Sequence, residues 1–357
     1  MDITNKIKNE ISKSGPIPIN TFMEKVLNAS DDSYYQSKKQ ILGFKGDFIT
    51  APEISQLFGE IIGVWLCLKW SEKLKGKKFN LCELGPGKGT LMSDLLRSIS
   101  KTSDIMKFID QIQLFEINKN LIRTQKQNLS KYKQISWHEN PLFEIKSKVN
   151  IIIANEFFDA LPVIQYIKRQ KRWYELMVNL RSDSADLYVS DEAIDEKTQD
   201  MLQEEYAHIP IDGIIEIAQD SKSILKEICQ KISKHGGSCI IIDYGFIEND
   251  RNIKSYISTL QAIKEHKYHD IFKNIGEADL TTQVNFSQLI DTAQTYGCKT
   301  HYMTQGEFLK FYGIELRKEI LKKSAQNTKL QRNIESEYKR LVSSSEMGNL
   351  FKVLIID

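Results

Sequence analysis

The residues best suited to chemistry follow an apolar segment, where three glycines stand at alternate positions. The glycines are Gly85, Gly87 and Gly89, and Glu83 stands two positions ahead of the first of them. The order is typical of a strand, a tight turn and a helix start that bind a nucleoside-type cofactor. A dinucleotide fingerprint needs a further glycine where this chain has Thr90, which disfavours a nicotinamide oxidoreductase.

The acid beside this turn narrows the choice of ligand. Bare backbone N–H groups bind a pyrophosphate, whereas the carboxylate of Glu83 suits a ligand that carries an ammonium and a sulfonium. The pattern resembles motif I of class I S-adenosylmethionine-dependent methyltransferases, whose glycines let the backbone approach the amino-acid end of the cofactor. A turn without any ligand is the alternative, because glycine-rich turns are common.

A second group of candidate residues follows the very apolar segment 149–154. It contains Asn155, Glu156 and Asp159, which we assign to the catalytic site. The two acids should lie at the rim of a sheet, where carboxylates bind the planar, always charged guanidinium of an arginine bidentately. Such a clamp would orient one nitrogen towards a methyl group. The alternative is that the acids cap the next helix.

Ligands of doubly wound sheets lie beyond the carboxyl ends of the strands. Glu116 ends the second predicted strand and is placed to accept hydrogen bonds from ribose hydroxyls. Trp137 ends the third strand and is expected near an adenine, or else in the core. His266, His269 and Asp270 stand close to one another in a later, loop-like segment. Their spacing fits no standard metal motif, so no metal site is predicted.

The apolar pattern predicts the elements that position these residues. Strands are expected at 80–84, 111–117, 134–138, 149–155 and 238–244, with helices between them. Strands that alternate with helices indicate an α/β fold with a parallel sheet. The block 163–217 is an insertion that contains a β-hairpin, 351–357 is a terminal strand beside 301–303, and 306–344 is a helical excursion between those two.

The stretch before the first strand is predicted to be helical. Its longest helix runs from Glu53 to Lys73 behind Pro52, and Gly59 and Gly63 on that helix indicate close packing against another helix.

Composition excludes several classes of function. The chain has 357 residues with 41% apolar content, enough for a large core, and its net charge of +2 gives no reason to expect nucleic acid. Its five cysteines are scattered without C-x-x-C spacing, which fits a reducing compartment. No segment predicts a signal peptide or membrane insertion. The start at Met1 without an arginine-rich leader favours a bacterial cytoplasmic protein over a mitochondrial matrix protein.

Six blocks of sequence together resemble one family. They are Gly46–Gly59, Glu83–Met92, Asn155–Pro162, Ile242–Gly245, Ala278–Thr281 and Met347–Val353, in that order over nearly the whole chain. They resemble the MidA-like, or mitochondrial complex I assembly factor 7, family of S-adenosylmethionine-dependent protein arginine methyltransferases.

The resemblance implies a class I methyltransferase fold, with a seven-stranded Rossmann-like sheet whose last strand inserts antiparallel. It implies an N-terminal helical cap at 1–78, a methyltransferase domain at 79–357, and S-adenosyl-L-methionine as cofactor, with Thr50 and Glu53 near it. The implied acceptor is a protein arginine, on a subunit of respiratory complex I for the mitochondrial members. A non-catalytic assembly chaperone with this fold and a methyltransferase with another acceptor stay open, as does the oligomeric state.

Overall fold

The computed structural model describes residues 2–28, 33–36, 50–102, 104–139, 149–248, 255–265 and 267–357. The helices within these ranges are α1 Ile3–Ser14, α2 Ile19–Leu27, α3 Ala51–Ile54, α4 Gln56–Lys73, α5 Thr90–Thr102, α6 Lys119–Asn128, α7 Glu196–Glu205, α8 Gln219–His235, α9 Phe286–Thr295, α10 Gln305–Phe311, α11 Ile314–Lys323, α12 Thr328–Val342 and α13 Met347–Leu350. The strands are β1 Ile17–Pro18, β2 Phe79–Leu84, β3 Ile109–Phe115, β4 Ile135–His138, β5 Asn150–Asn155, β6 Ile164–Arg169, β7 Arg172–Leu180, β8 Leu187–Ala193, β9 Ile214–Ile217, β10 Gly237–Phe246, β11 Gln261–Lys264, β12 Lys267–His269, β13 Asp279–Thr281, β14 Val284–Asn285, β15 Thr300–Thr304 and β16 Phe351–Ile356.

The chain divides into two compact units. The described residues of the first unit fall within 1–41, 159–223 and 246–283, and those of the second fall within 42–158, 224–245 and 284–357. This division differs from the predicted boundary between 78 and 79. The reason is that β1 pairs antiparallel with β7, so the N-terminal segment contributes a strand to the sheet of the inserted block.

The second unit contains the large sheet. Its strands follow the order β15-β16-β10-β5-β2-β3-β4, and the short β14 pairs with β10. The strands from β4 to β10 along this order are parallel, whereas β16 runs antiparallel between β10 and β15. Strands β2 and β5 are buried along their whole length, as expected for strands covered on both faces. The five predicted parallel strands are confirmed to within two residues at each end.

The close packing predicted for Gly59 and Gly63 is confirmed by the approach of α4 to α5. A β-carbon at Gly59 would lie 2.8 Å from Cβ of Asp94, and one at Gly63 would lie 2.5 Å from Oγ of Ser98. No larger side chain fits between the two helices without a shift.

The prediction of one helix from Glu53 to Lys73 is wrong, because the chain breaks between α3 and α4. Ser55 is extended, with φ −156° and ψ 139°, and its side chain accepts a hydrogen bond from the Leu57 N–H. A residue that caps the second helix in this way cannot also continue the first. The predicted excursion between β15 and β16 is confirmed as the helices α10 to α13.

The first unit contains two smaller sheets. One has the order β1-β7-β6-β9 with β8 paired to β7, and the other has the order β12-β11-β13. The antiparallel pairing of β7 with β8 confirms the predicted hairpin. A cluster around Trp173, Leu202 and Ile215 forms an apolar core in this unit. In neither unit do the described helices include one with the length and apolarity that a bilayer crossing requires.

Candidate active site

The glycine turn lies at the carboxyl end of β2, where a doubly wound sheet binds its ligand. Gly85, Gly87 and Gly89 have φ values of 61°, 53° and 76°, a region that residues with a β-carbon rarely adopt. A β-carbon at Gly85 would also lie 3.0 Å from Cδ2 of Phe157. The turn is therefore packed directly against the loop that follows β5.

Glu83 is the buried acid beside this turn. It is 2% exposed, and its Oε2 has no hydrogen-bond partner within the described ranges. Burial, followed by the charge of Glu116, raises the pKa of Glu83 to about 8. A buried, unpartnered carboxylate is costly in the free protein, and a bound cation would remove that cost.

Glu116 lies on the neighbouring strand end and is held by defined donors. Its Oε1 accepts from the N–H of Asn118 over 2.8 Å, and its Oε2 accepts from Nε2 of Gln125 over 3.2 Å. Burial raises the pKa of Glu116 to about 7, against these hydrogen bonds, which lower it. The carboxylate is thus fixed in direction at the place predicted for a ribose.

Trp137, predicted near an adenine, packs partly buried against the core, and its Nε1 donates to Oε1 of Gln125 over 2.9 Å. Lys126 lies over the indole ring, 5.2 Å from its centroid. Gln125 was not among the site residues predicted from sequence. Its one signal is its position four residues from both Leu121 and Leu129, which places an amide on the buried face of α6.

The residues at the end of β5 are set in a strained turn. Glu156 has φ 50°, although it is not a glycine, and its N–H donates to the carbonyl of Ile242 over 2.8 Å. Its Oε1 accepts from the N–H of Ala51 over 3.0 Å and from Nδ2 of Asn155 over 3.2 Å. Oδ1 of Asn155 is buried without a partner in the part of the chain that the structure describes.

Asp243 fixes the same turn from β10. Its Oδ2 accepts from the N–H of Phe158 over 3.0 Å, and its Oδ1 accepts from the N–H of Tyr244 over 3.0 Å. Both carboxylate oxygens of this fully buried acid are used by the backbone. Asp243 is therefore a support of the Glu156 turn.

Helix α3 bridges the turns after β2 and β5. Glu53 accepts a hydrogen bond from Thr90 Oγ1, and its Oε2 lies 2.9 Å from Nζ of Lys88. At the other end of the helix, Ala51 donates to Glu156. Thr50 is the extended residue ahead of α3, and its side chain makes no capping hydrogen bond. The structure thus brings Glu53 to the glycine turn through Lys88 and Thr90, and it brings Ala51, which follows Thr50, to Glu156. The contacts of Lys88, Thr90 and Ala51 were not predicted from sequence.

Residues 61–304, more than half of the chain, match the model of the Methyltransf_28 family of S-adenosyl-L-methionine-dependent methyltransferases. The chain belongs to this methyltransferase family. The methyltransferase is also similar to the curated proteins called protein arginine methyltransferase NDUFAF7, mitochondrial. It is 32% identical to the one from Rattus norvegicus, over 96% of this chain and 81% of that protein. It is 30% identical to the one from Homo sapiens, over 96% of this chain and 80% of that protein.

The fold of the methyltransferase is shared with a solved structure. A COG1565 superfamily member from Burkholderia thailandensis, bound to S-adenosyl-homocysteine, superimposes with a TM-score of 0.86 at 23% identity, covering 99% of this chain and 91% of that one. The two proteins share the mixed α/β methyltransferase fold.

The residues of the methyltransferase site fit the cofactor of the family. The unpartnered acceptors of Glu83 and Asn155 suit the ammonium of S-adenosyl-L-methionine, and the glycine turn leaves room for close backbone approach. Glu116, beyond the next strand, presents an oriented acceptor for hydroxyl groups. The site thus has acceptors of the kinds that both ends of this cofactor need.

Asp159 belongs to the first unit of the methyltransferase, and the other predicted site residues belong to the second. It is buried, and this burial raises the pKa of Asp159 to about 7. Within its unit, Tyr35 donates to Oδ1 of Asp279 over 3.1 Å, and burial, Asp279 and then Asp159 raise the pKa of Tyr35. Nε2 of His269 lies 2.9 Å from Oδ1 of Asn274, whereas His266 lies outside the described residues.

Proposed function

We propose that this methyltransferase transfers a methyl group to an arginine side chain of a protein. The observation that carries the proposal is the position of Glu156, whose turn is packed against the glycine turn through Phe157 and Gly85. A carboxylate fixed this close to the cofactor loop suits a cationic acceptor. The curated relatives, which are called protein arginine methyltransferases, support the same acceptor.

The proposed roles of the acids follow from the charged group of the acceptor that a carboxylate can bind. When bound, the cofactor supplies an electrophilic methyl group on a sulfonium. Glu156, held by the Ala51 N–H and the Asn155 amide, keeps one carboxylate oxygen in a fixed direction and pairs with the guanidinium. Fixing the direction of that pair aims one nitrogen, which supplies rate acceleration through orientation. Asp159 as a second carboxylate of the clamp stays a prediction from the motif.

The site residues of the cofactor are proposed in the same way. Glu83 and Asn155 bind the ammonium group of the cofactor, and Glu116 binds its ribose. The glycine turn leaves room for the amino-acid end of the cofactor; its residues are Gly85, Gly87 and Gly89. Thr50 and Glu53, which lie at helix α3, and Trp137, which packs against the adenine, complete the proposed set of cofactor-binding residues. The strand order from β15 to β4 in the large sheet supports the seven-stranded sheet of the class I methyltransferase type.

The acceptor protein is proposed from the resemblance alone. The resemblance implies a subunit of respiratory complex I as the acceptor of the mitochondrial members, and we propose the same class of acceptor here. The cytoplasmic location also stays a prediction, while the names of the relatives describe them as mitochondrial.

The test is methyl transfer from tritiated S-adenosyl-L-methionine to a complex I preparation from a strain lacking this chain. Mass spectrometry should find new methylarginine, and Glu156→Gln should lower its formation by about 100-fold or more while S-adenosylhomocysteine binding changes less than threefold. Glu205→Gln, at an exposed position at the end of α7, is the matched control and should leave the rate unchanged.

Two outcomes contradict the proposal. Methylation confined to lysine, glutamine or small molecules would replace the arginine acceptor. Cofactor binding without any transfer, together with normal complex I only when the protein is present, would establish the chaperone alternative.

A further inference from the structure

The side-chain amide of Gln125 connects three parts of the cofactor site that are far apart in sequence. Gln125 is fully buried on α6. Its Nε2 donates to the carbonyl of Gly87 over 2.6 Å and to Oε2 of Glu116 over 3.2 Å, and its Oε1 accepts from Nε1 of Trp137 over 2.9 Å. One amide thus touches the glycine turn, the acid at the end of β3 and the indole at the end of β4.

Only an amide of this length can make all three contacts. Two of them need N–H donors and the third needs an acceptor, which excludes a carboxylate and an ammonium. The backbone around the amide is closely packed, since a β-carbon at Gly89 would lie 3.4 Å from Cγ of Gln125. The amide therefore has a fixed orientation, and its three hydrogen bonds hold the partner groups in fixed positions.

We propose that Gln125 is a positioning residue that aims the carboxylate of Glu116 at the ribose of the cofactor. The inference rests on the proposed function, because it takes Glu116 as the ribose acceptor. Gln125 itself contacts no reacting atom. Replacing Gln125 should weaken recognition of the ribose, which Glu116 binds, more than recognition of the rest of the cofactor.

The surroundings of Glu116 make this role necessary. The carboxylate is buried, and it accepts hydrogen bonds from the backbone N–H groups of Ile117 and Asn118 and from the Gln125 amide. Without the amide, Oε2 would lose the side-chain donor that holds it towards α6. A buried carboxylate in that state is costly and a poor acceptor for a ligand hydroxyl.

The test compares the binding of S-adenosylhomocysteine with that of its 2′-deoxy analogue, measured by titration calorimetry on the full chain. The wild-type protein should bind the deoxy analogue about 10-fold to 100-fold more weakly, as expected for a lost hydrogen bond to a charged group. In Gln125→Met, S-adenosylhomocysteine should bind about 10-fold more weakly, and the ratio between the two ligands should fall below about threefold.

Two further variants keep the test decisive. Gln125→Leu has a similar volume and no polar atom, so it loses both donors and should lower the ratio in the same way. Asn128→Ala removes a hydrogen bond of 2.9 Å from the same helix to the carbonyl of Lys88, without touching Glu116. It should leave the ratio at the wild-type value.

The outcomes separate this inference from the function on which it rests. Equal weakening of both ligands in the Gln125 variants, with the wild-type ratio retained, would show a purely structural role and overturn the proposal for Gln125 alone. A wild-type protein that binds both ligands equally would remove Glu116 as the ribose acceptor, and the inference with it. No binding of S-adenosylhomocysteine would overturn the cofactor assignment itself.

Discussion

The backbone N–H of Ala51 donates to Oε1 of Glu156 over 3.0 Å, across 105 positions of sequence. This hydrogen bond ties the first residue of α3 to the turn after β5. The acid that we assign to the acceptor thus also holds the segment that reaches the glycine turn through Glu53. A substitution at one end of α3 should therefore shift the residues that the other end contacts.

Replacing Ala51 with proline tests the first of these links. Proline is tolerated at the first position of a helix, but it removes the N–H and puts a methylene group where the carboxylate oxygen lies. We expect methyl transfer to fall about 10-fold or more at saturating cofactor, because Glu156 loses a charge-assisted hydrogen bond. Initial rates measure this effect, and Ala51→Ser, which keeps the N–H, is the control. A wild-type rate in Ala51→Pro would show that the bond does not position Glu156.

The ion pair between Glu53 and Lys88 tests the second link. The two atoms lie 2.9 Å apart, and both side chains are mostly buried. We expect Glu53→Ala to weaken S-adenosylhomocysteine binding about threefold to 10-fold, because the glycine turn loses its tie to α3. A double-mutant cycle with Lys88→Met should give a coupling energy on the order of 1 kcal/mol in calorimetric binding free energies. Fully additive effects would mean that the pair does not act on the turn.

The parts of the site that could be predicted from sequence share one property. Glu83 and Glu156 are acids that come directly after or near the end of long apolar runs, so the pattern places them at the rim of a buried sheet. The strands themselves were predictable because β2 and β5 are buried on both faces and bounded by turn residues.

The parts that could not be predicted depend on contacts without a sequence pattern. The Ala51 donor is a backbone N–H, which every residue except proline carries, so its pairing with Glu156 leaves no mark in the sequence. The spacing of Gln125 from Leu121 and Leu129 indicates that it lies on the buried face of α6, but no pattern in the sequence indicates the three partners of its amide. Strand β1 has two residues, too few to show an alternating pattern, and its pairing with β7 therefore changed the expected boundaries.

A buried acid on α4 leads to a prediction about stability. Glu60 is 3% exposed and pairs with Nη1 of Arg97 over 2.9 Å and with Nε of Arg317 over 2.7 Å, which joins α11 to α4 and α5. Replacing both arginines with methionine leaves a buried carboxylate without a counter-charge, and we expect a loss of about 3–5 kcal/mol in unfolding free energy.

The matched variant for this prediction is Glu60→Leu combined with both methionines. It removes the Glu60 carboxylate, whereas Asp94, which also pairs with Arg97 over 2.7 Å, loses that partner in both variants. The triple variant should therefore recover the part of the lost stability that comes from the buried charge of Glu60. Urea unfolding monitored by circular dichroism measures both variants. Equal losses in the two would show that packing of the arginine stems, rather than the buried charge, sets the stability.

The buried acids at the strand ends predict how the stability of the cofactor-free protein depends on pH. The folded-state pKa of Glu83 is raised to about 8 and that of Glu116 to about 7, against an ordinary value of 4.5 for both. Between pH 4.5 and 8 the folded state therefore holds more protons than the unfolded state. Unfolding releases protons in this window, so the stability falls as the pH rises and levels off above pH 8.

Glu83→Gln tests this dependence because it removes the larger shift while keeping the shape of the side chain. The wild-type protein should lose stability, on the order of a few kcal/mol, between pH 5.5 and 8.5, and Glu83→Gln should lose distinctly less. Thermal melts across this range measure the difference, and Glu205→Gln at the end of α7 should follow the wild type.

Saturating S-adenosylhomocysteine should stabilise the wild type more at pH 8 than at pH 6, since its ammonium pairs with ionised Glu83. Parallel curves for wild type and Glu83→Gln would show that Glu83 is ionised throughout.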